Sequence, residues 1–206
     1  MKDRQDWMMN QALTLLLALG CVASVQAQDK DKACLECHAA LAQKKVVHAA
    51  LEKGCVYCHS EIEPNVVPHK LKGKSAKARA ADNSAMCDDC HEKKMFQGKV
   101  VHGPIAAGAC HDCHDSHSSD HAGLLKKEPA TLCLDCHPEI KKGPHVVAGF
   151  TRSGHPLGNE KKEAKDPLRA GKKFYCVSCH EPHRSELPKL NRFGLGMVSC
   201  QKCHKM

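Results

Sequence analysis

Seven times in 206 residues this chain spells Cys-x-x-Cys-His. The copies are Cys34, Cys37 and His38; Cys55, Cys58 and His59; Cys87, Cys90 and His91; Cys110, Cys113 and His114; Cys133, Cys136 and His137; Cys176, Cys179 and His180; and Cys200, Cys203 and His204. The pentapeptide is the attachment signature of c-type haem. Two thiols add to the two vinyl groups of one porphyrin as thioethers, and the following His binds the iron as proximal ligand. No other feature constrains the fold as strongly. Seven motifs imply seven haems, and residues 28–206 leave about 26 residues to wrap each large, flat, apolar group.

A lone CxxC is ambiguous, since zinc knuckles, iron–sulfur ligand pairs and redox disulfides use it too. His decides the matter. It makes up 16 of 206 residues, so chance places it after a given CxxC about once in thirteen, yet it follows all seven. Neither zinc nor a disulfide requires it there. Fourteen of the 15 cysteines lie in the motifs, and the other, Cys21, falls in an N-terminal apolar run. The motif-bearing part of the chain therefore has no thiol to spare for a disulfide or a nucleophile.

Composition agrees that the core is not made of side chains. Aromatic residues are 3% of the chain, and the single Trp, Trp7, lies before the first motif. Periodic runs of Leu, Ile, Val and Phe are missing. A chain of this kind buries too little apolar surface to offset its conformational entropy. With covalent haems as staples the balance changes, as it does for small metal-bound scaffolds. The expected fold class is a multihaem cytochrome c: mostly irregular, with short α-helices wrapped around a covalent haem core and little or no β. Helices are expected over 39–53 and 122–134, a linker over 70–84 and a charged, exposed loop over 161–173. The alternation that marks a sheet is absent.

The N-terminus reads as an export signal. Lys2 and Arg4 precede an apolar run from Ala12 to Val25, and Val25-Gln26-Ala27 offers small residues before a cut. The run is shorter than the roughly 20 residues a membrane-spanning helix needs. Residues 1–27 are thus assigned to a cleaved signal peptide and 28–206 to the haem domain. Ala18-Leu19-Gly20-Cys21 also loosely resembles a lipoprotein processing site, which would anchor the chain to a membrane through Cys21. Both readings place the protein in the periplasm or outside the cell. The net charge is +8. Fourteen haem propionates would offset it, so the basic balance does not argue for nucleic acid, and no nucleic-acid motif is present.

The chain is repetitive. Lys44-Lys45-Val46-Val47-His48 precedes the second motif and Gly98-Lys99-Val100-Val101-His102 the fourth. A stretched version, with His145 and His155, precedes the sixth. His69, His117 and His183 trail the second, fourth and sixth motifs. The unit is a CxxCH, an isolated His, a second CxxCH and a trailing His. It recurs over approximately 34–69, 87–117 and 133–183, and the motif at 200–204 closes the chain.

On these residues the chain resembles the multihaem cytochromes c of the doubled-CxxCH type. Cys110 to His137 looks like one such module, with His117, Ser118, Leu124-Leu125 and Leu132-Cys133 in sequence. Cys176 to His204 looks like a second. The resemblance implies bacterial respiration on metals or other external acceptors. It departs at Ser116, where Pro is usual, and between His59 and His69, where residues are inserted.

Nine His lie outside the motif ends. His111 sits inside a CxxCH loop and His121 lacks the repeat's framing. Setting these aside leaves seven distal-ligand candidates for seven irons: His48, His69, His102, His117, His145, His155 and His183. Met86, Met95, Met197 and Met206 are the rivals, but scattered Met is usually packing filler. Two imidazoles per iron close every site and keep potentials low. The expected function is electron transfer by hopping along seven covalently attached haems c, with no catalytic residues. The expected partners are a membrane quinol oxidase, other cytochromes, and a terminal reductase or outer-membrane conduit. The alternatives are a multihaem reductase of nitrite, hydroxylamine or a sulfur oxyanion, which needs one open iron, and a subunit of an extracellular cytochrome filament.

Overall fold

The computed structural model describes residues 31–63, 65–70, 86–141 and 165–205. The signal peptide, Cys21, His145, His155, Met206 and most of the expected 70–84 linker lie outside these residues.

Regular structure is sparse and clusters at the motifs. Residues 31–38 are helical. Cys55–Cys58 and Cys110–Cys113 each form one α-helical turn, and Cys176–Ser178 forms a 3-10 turn. Pro129–Cys136 is a longer helix ending in the fifth motif. Its start is set locally. Pro129 occupies the first helical position, where a missing N–H costs little, and the Glu128 carboxylate accepts from the N–H groups of Ala130 (2.9 Å) and Thr131 (3.1 Å). In the expected 122–134 helix, Gly123 at φ 70° and Leu124 at φ 57° instead turn the chain left-handed before Glu128. Helix therefore begins only at Pro129.

Two small antiparallel ladders join distant parts of the chain. Strand β1 (Val46–Val47) pairs with β3 (Ser118–Ser119), with Val46 opposite Ser119 and Val47 opposite Ser118. Strand β2 (Val100–Val101) pairs with β4 (Arg184–Ser185), with Val100 opposite Ser185 and Val101 opposite Arg184. The helix expected over 39–53 is thus corrected. Ala39–Ala42 and Ala49–Lys53 are 3-10 turns, and the β-branched Val46-Val47 pair between them is extended. Val resists helix through its restricted χ1 and suits a strand. Two residues are too few to leave a visible alternation, so the ladders could not be read from sequence.

Among the described residues, Ala130 is the only buried hydrophobic side chain. The other buried residues are polar: Ser118, Ser119, Asp166, Ser178 and Ser185. They hold turns together. Ser119 Oγ donates to the Leu125 carbonyl and accepts from His121 N–H, and Ser185 does the same between Asn191 and Leu187. Large apolar residues stand exposed in and beside the motifs, among them Leu35, Val56, Tyr57, Met197 and Val198. The described part of the expected charged loop is more ordered than its composition suggests. Lys165 bridges to Lys173, and Asp166 is buried against Arg169 within the turn.

Candidate functional site

Each motif presents its chemistry by folding into a single turn. The His N–H bonds the first Cys carbonyl at 3.0 Å in the second motif, 2.7 Å in the third and 3.0 Å in the fourth. The fifth, sixth and seventh repeat this at 3.1, 2.9 and 2.9 Å. Residues i, i+3 and i+4 of such a turn share a face. Both thiols and the imidazole are therefore offered together, as one porphyrin requires. None of the fourteen motif cysteines is in a disulfide.

The motifs abut one another in sequence order. The thiols of Cys34 and Cys55 are hydrogen-bonded, as are those of Cys87 and Cys110, and of Cys133 and Cys176. Between these junctions Cys58 lies near Cys90, Cys113 near Cys136, and Cys179 near Cys203 and Cys200. Contacts through first cysteines thus alternate with contacts through second cysteines. Burial pushes Cys55 up to about 12, with Asp31 adding to the effect, and pushes Cys87 up to about 11, with Cys110 adding.

The five described distal-ligand candidates each stand opposite a different motif histidine. The ring centroids of His38 and His69 lie 5.8 Å apart, His59 and His117 6.0 Å, and His91 and His48 6.2 Å. His114 and His183 are 5.9 Å apart, and His137 and His102 6.3 Å. The pairs take the first to the fifth motif in turn. Every pair joins one motif His to one non-motif His. For the sixth and seventh motifs, the remaining candidates His145 and His155 lie outside the described residues. His111 and His121, set aside on sequence grounds, are in none of the five pairs.

This spacing fits an iron. An imidazole nitrogen bonds a first-row metal at about 2 Å, and the ring centre lies roughly 1 Å behind it, so two imidazoles across one metal have centroids about 6 Å apart. The outer nitrogens also fit. A metal-bound imidazole typically donates its other N–H to a carbonyl or carboxylate, which fixes the tautomer. His48 Nδ1 is 2.8 Å from the Ser116 carbonyl and His102 Nδ1 3.0 Å from that of Pro182. His114 Nδ1 is 2.7 Å from the Gly123 carbonyl and His180 Nδ1 2.9 Å from that of Lys189. Each leaves Nε2 for the metal. Burial lowers the pKa of His59, His117 and His183, and the neighbouring His of each pair lowers those of His117 and His183 further. Neutral imidazole is the ligating form. Among the described residues no three or more His, Cys, Asp or Glu side chains converge as a metal-ion site, whereas a tetrahedral zinc centre takes four ligands.

The ladders deliver four of these histidines. His48 follows β1 and its N–H donates to the His117 carbonyl at 2.8 Å. The two residues are thus neighbours across β1–β3, but their rings serve different motif histidines. His102 and His183 stand in the same relation across β2–β4, with a 3.0 Å bond. Two carboxylates that sequence reading passed over sit beside the trailing histidines. Asp115 Oδ1 accepts from His117 N–H at 2.9 Å, and Asp115 Oδ2 lies 3.5 Å from Lys44 Nζ. Burial alone would raise Asp115, but the His117 and Ser118 N–H groups and Lys44 hold its carboxyl below the usual range. Glu181 is placed likewise two residues before His183 and pairs with Arg192 at 3.3 Å. An acid two residues ahead of His117 and of His183 was the available signal.

Residues 102–142 and 166–206 match the profile of the doubled CXXCH motif family. The chain carries that motif twice. Its paired motifs indicate covalently bound haem c and point to a multihaem c-type cytochrome acting in electron transfer. The matched segments share their internal geometry: the His114–Leu125 bridge recurs as His180–Asn191. No curated protein sequence matches the chain significantly. Among the described residues, no helix is long and apolar enough to cross a membrane.

Proposed function

We propose that the chain is an exported heptahaem cytochrome whose irons are closed on both sides by imidazole and which passes electrons between redox partners in anaerobic or extracellular respiration. One observation carries this reading: five motif histidines each face a separate non-motif histidine at the spacing of a shared iron. On this reading His38 and His69 hold the first iron, His59 and His117 the second, and His91 and His48 the third. His114 and His183 hold the fourth, and His137 and His102 the fifth. That leaves His145 and His155 as the candidates for the sixth and seventh irons, whose motif ligands would be His180 and His204. Haem supplies one-electron redox chemistry. The chain's residues supply thioether anchors, two imidazoles per iron and an order of attachment that follows the sequence. A closed iron has no position for substrate, so the protein carries electrons between partners such as a quinol oxidase and a terminal reductase or outer-membrane conduit.

The test is the mass and spectrum of the exported holoprotein. The mass should exceed that of the processed chain by seven haems. The reduced protein should show low-spin spectra that carbon monoxide leaves unchanged. Carbon monoxide binding at one haem, with reduction of nitrite, hydroxylamine or a sulfur oxyanion, would instead establish the reductase reading.

A further inference from the structure

The His38–His69 pair differs from the other four. Its rings cross at 64°, whereas the other pairs cross at 13°, 17°, 21° and 33°. His69 comes from the same repeat unit as His38, and no ladder carries it. The His69 Nδ1 is buried with no hydrogen-bond partner, as is that of His59 in the second pair. His48 and His102, by contrast, donate Nδ1–H to backbone carbonyls.

The crossing, which sets this pair apart, and the missing Nδ1 bond, which the second pair shares at His59, act on the iron in one direction. The hole of low-spin ferric iron sits in a d orbital that ligand π electrons stabilise. Two parallel imidazoles donate into the same orbital, and both stabilise the hole. Crossed imidazoles donate into different orbitals, and only one does. The ferric state then loses support and the potential rises. A missing Nδ1–H bond also makes His69 a less basic donor, which again favours ferrous iron. Solvent access does not separate this pair from the third and fifth: His38 is exposed and His69 half-buried, the same split as His91 with His48 and His137 with His102. His59, His117, His114 and His183 are all half-buried, so against the second and fourth pairs the ring crossing must outweigh the greater exposure of His38.

We propose that, of the five haems whose histidine pairs lie among the described residues, that of the first motif has the highest potential, so that electrons passing along these five collect at the N-terminal motif and leave from there to the acceptor. This rests on the reading that His38 and His69 flank one iron.

The experiment is a redox titration of the ferric holoprotein followed by electron paramagnetic resonance, on the parent chain, His69→Ala and His117→Ala. Crossed imidazoles leave two d orbitals nearly degenerate and give a highly anisotropic low-spin signal, whereas near-parallel ones give a rhombic signal. The parent should show an anisotropic signal that disappears before the rhombic signals on stepwise reduction. His69→Ala should remove one haem's worth of that signal, and His117→Ala one haem's worth of rhombic signal. The proposal is overturned if His69→Ala removes rhombic intensity, or if the signal it removes is not reduced before the rhombic signal that His117→Ala removes. Should His69→Ala fail to mature, the parent titration still decides, because an anisotropic signal that outlasts the rhombic ones is incompatible with it. High-spin iron in the parent would instead count against two-imidazole closure itself.

Discussion

Replacing Asp166 with asparagine tests how the sixth motif is held. Asp166 lies ten residues before Cys176, and its side chain is 2% exposed. Its carboxylate accepts from Leu168 N–H at 2.9 Å and from Arg169 Nε at 2.6 Å. Arg169 passes the constraint on. Its Nη2 donates to Ser178 Oγ at 3.2 Å, and the guanidinium stands over the Tyr175 ring at 5.7 Å. Ser178 lies between the two cysteines of the motif, and its hydroxyl also accepts from Tyr175 N–H at 3.2 Å. Removing one charge from a buried pair costs about 3–5 kcal/mol. Asparagine keeps an oxygen for Leu168, and Arg169 is 24% exposed, so water takes up part of its charge. The expected loss is therefore about 2 kcal/mol, close to the worth of one charge-assisted hydrogen bond.

At 1.4 kcal/mol per factor of ten, that loss makes local opening about 30-fold more frequent. Hydrogen exchange on the holoprotein reads it directly. The amides of Asp166, Lys172 and Ser178, which bond Lys172, Arg169 and Tyr175 carbonyls, should exchange correspondingly faster. His48 N–H in the first ladder should not change. The pH dependence has a definite sign. Burial alone would raise the Asp166 pKa, but Ser178, Arg169 and the Leu168 N–H lower it overall. A depressed carboxyl stabilises the fold above its ordinary pKa and loses that contribution as pH falls through the depressed value. The parent loop should thus loosen in acid, and Asp166→Asn should lack that step. Unchanged exchange at Asp166, Lys172 and Ser178 would refute the role of this pair.

Glu128→Ala should remove the cap from the helix carrying the fifth motif, costing about 1 kcal/mol and speeding amide exchange across Pro129–Cys136. Gly54→Ala should be worse, because φ is 89° and the new Cβ would lie 2.6 Å from the Asp31 carboxylate that holds Cys55 N–H. A strain of about 1–3 kcal/mol should appear as holoprotein lacking one haem mass. Ser185→Ala should strand the Leu187 N–H and Asn191 carbonyl, cost about 1–3 kcal/mol and speed exchange of His102 N–H across β2–β4, measured by hydrogen exchange.

The motif cysteines and histidines are legible in the sequence because each CxxCH is written in contiguous residues. Local punctuation was partly legible: Glu128-Pro129 is a helix start, but Gly123 and Leu124 end the preceding turn by a left-handed step that composition does not reveal. The ladders were not legible. Val46-Val47 finds its partner more than seventy residues away in Ser118-Ser119, which has neither high β-propensity nor alternation. Asp166 read as part of a solvated lysine-rich stretch because its partners, Arg169 and Ser178, matter only once the turn closes. The partners of the trailing histidines were hidden for the same reason. Spacing along the chain does not assign His117 to a motif, and it stands against His59 of the unit before.

That displacement follows a rule. The isolated His of one unit faces the first motif of the next: His48 meets His91, and His102 meets His137. The trailing His faces the second motif of the unit before: His117 meets His59, and His183 meets His114. Each ladder therefore sends one histidine forward and one back, and a single backbone hydrogen bond fixes their separation. Loss of a ladder disturbs two neighbouring sites together, whereas loss of one imidazole disturbs one. Excising a unit would remove the facing histidine from its neighbours' motifs, and the middle unit, which faces units on both sides, is the most interlocked of the three. The first motif departs from this pattern, since His38 faces His69 of its own unit. Its crossed rings are the geometric consequence: without a ladder, no second strand sets the orientation of that imidazole.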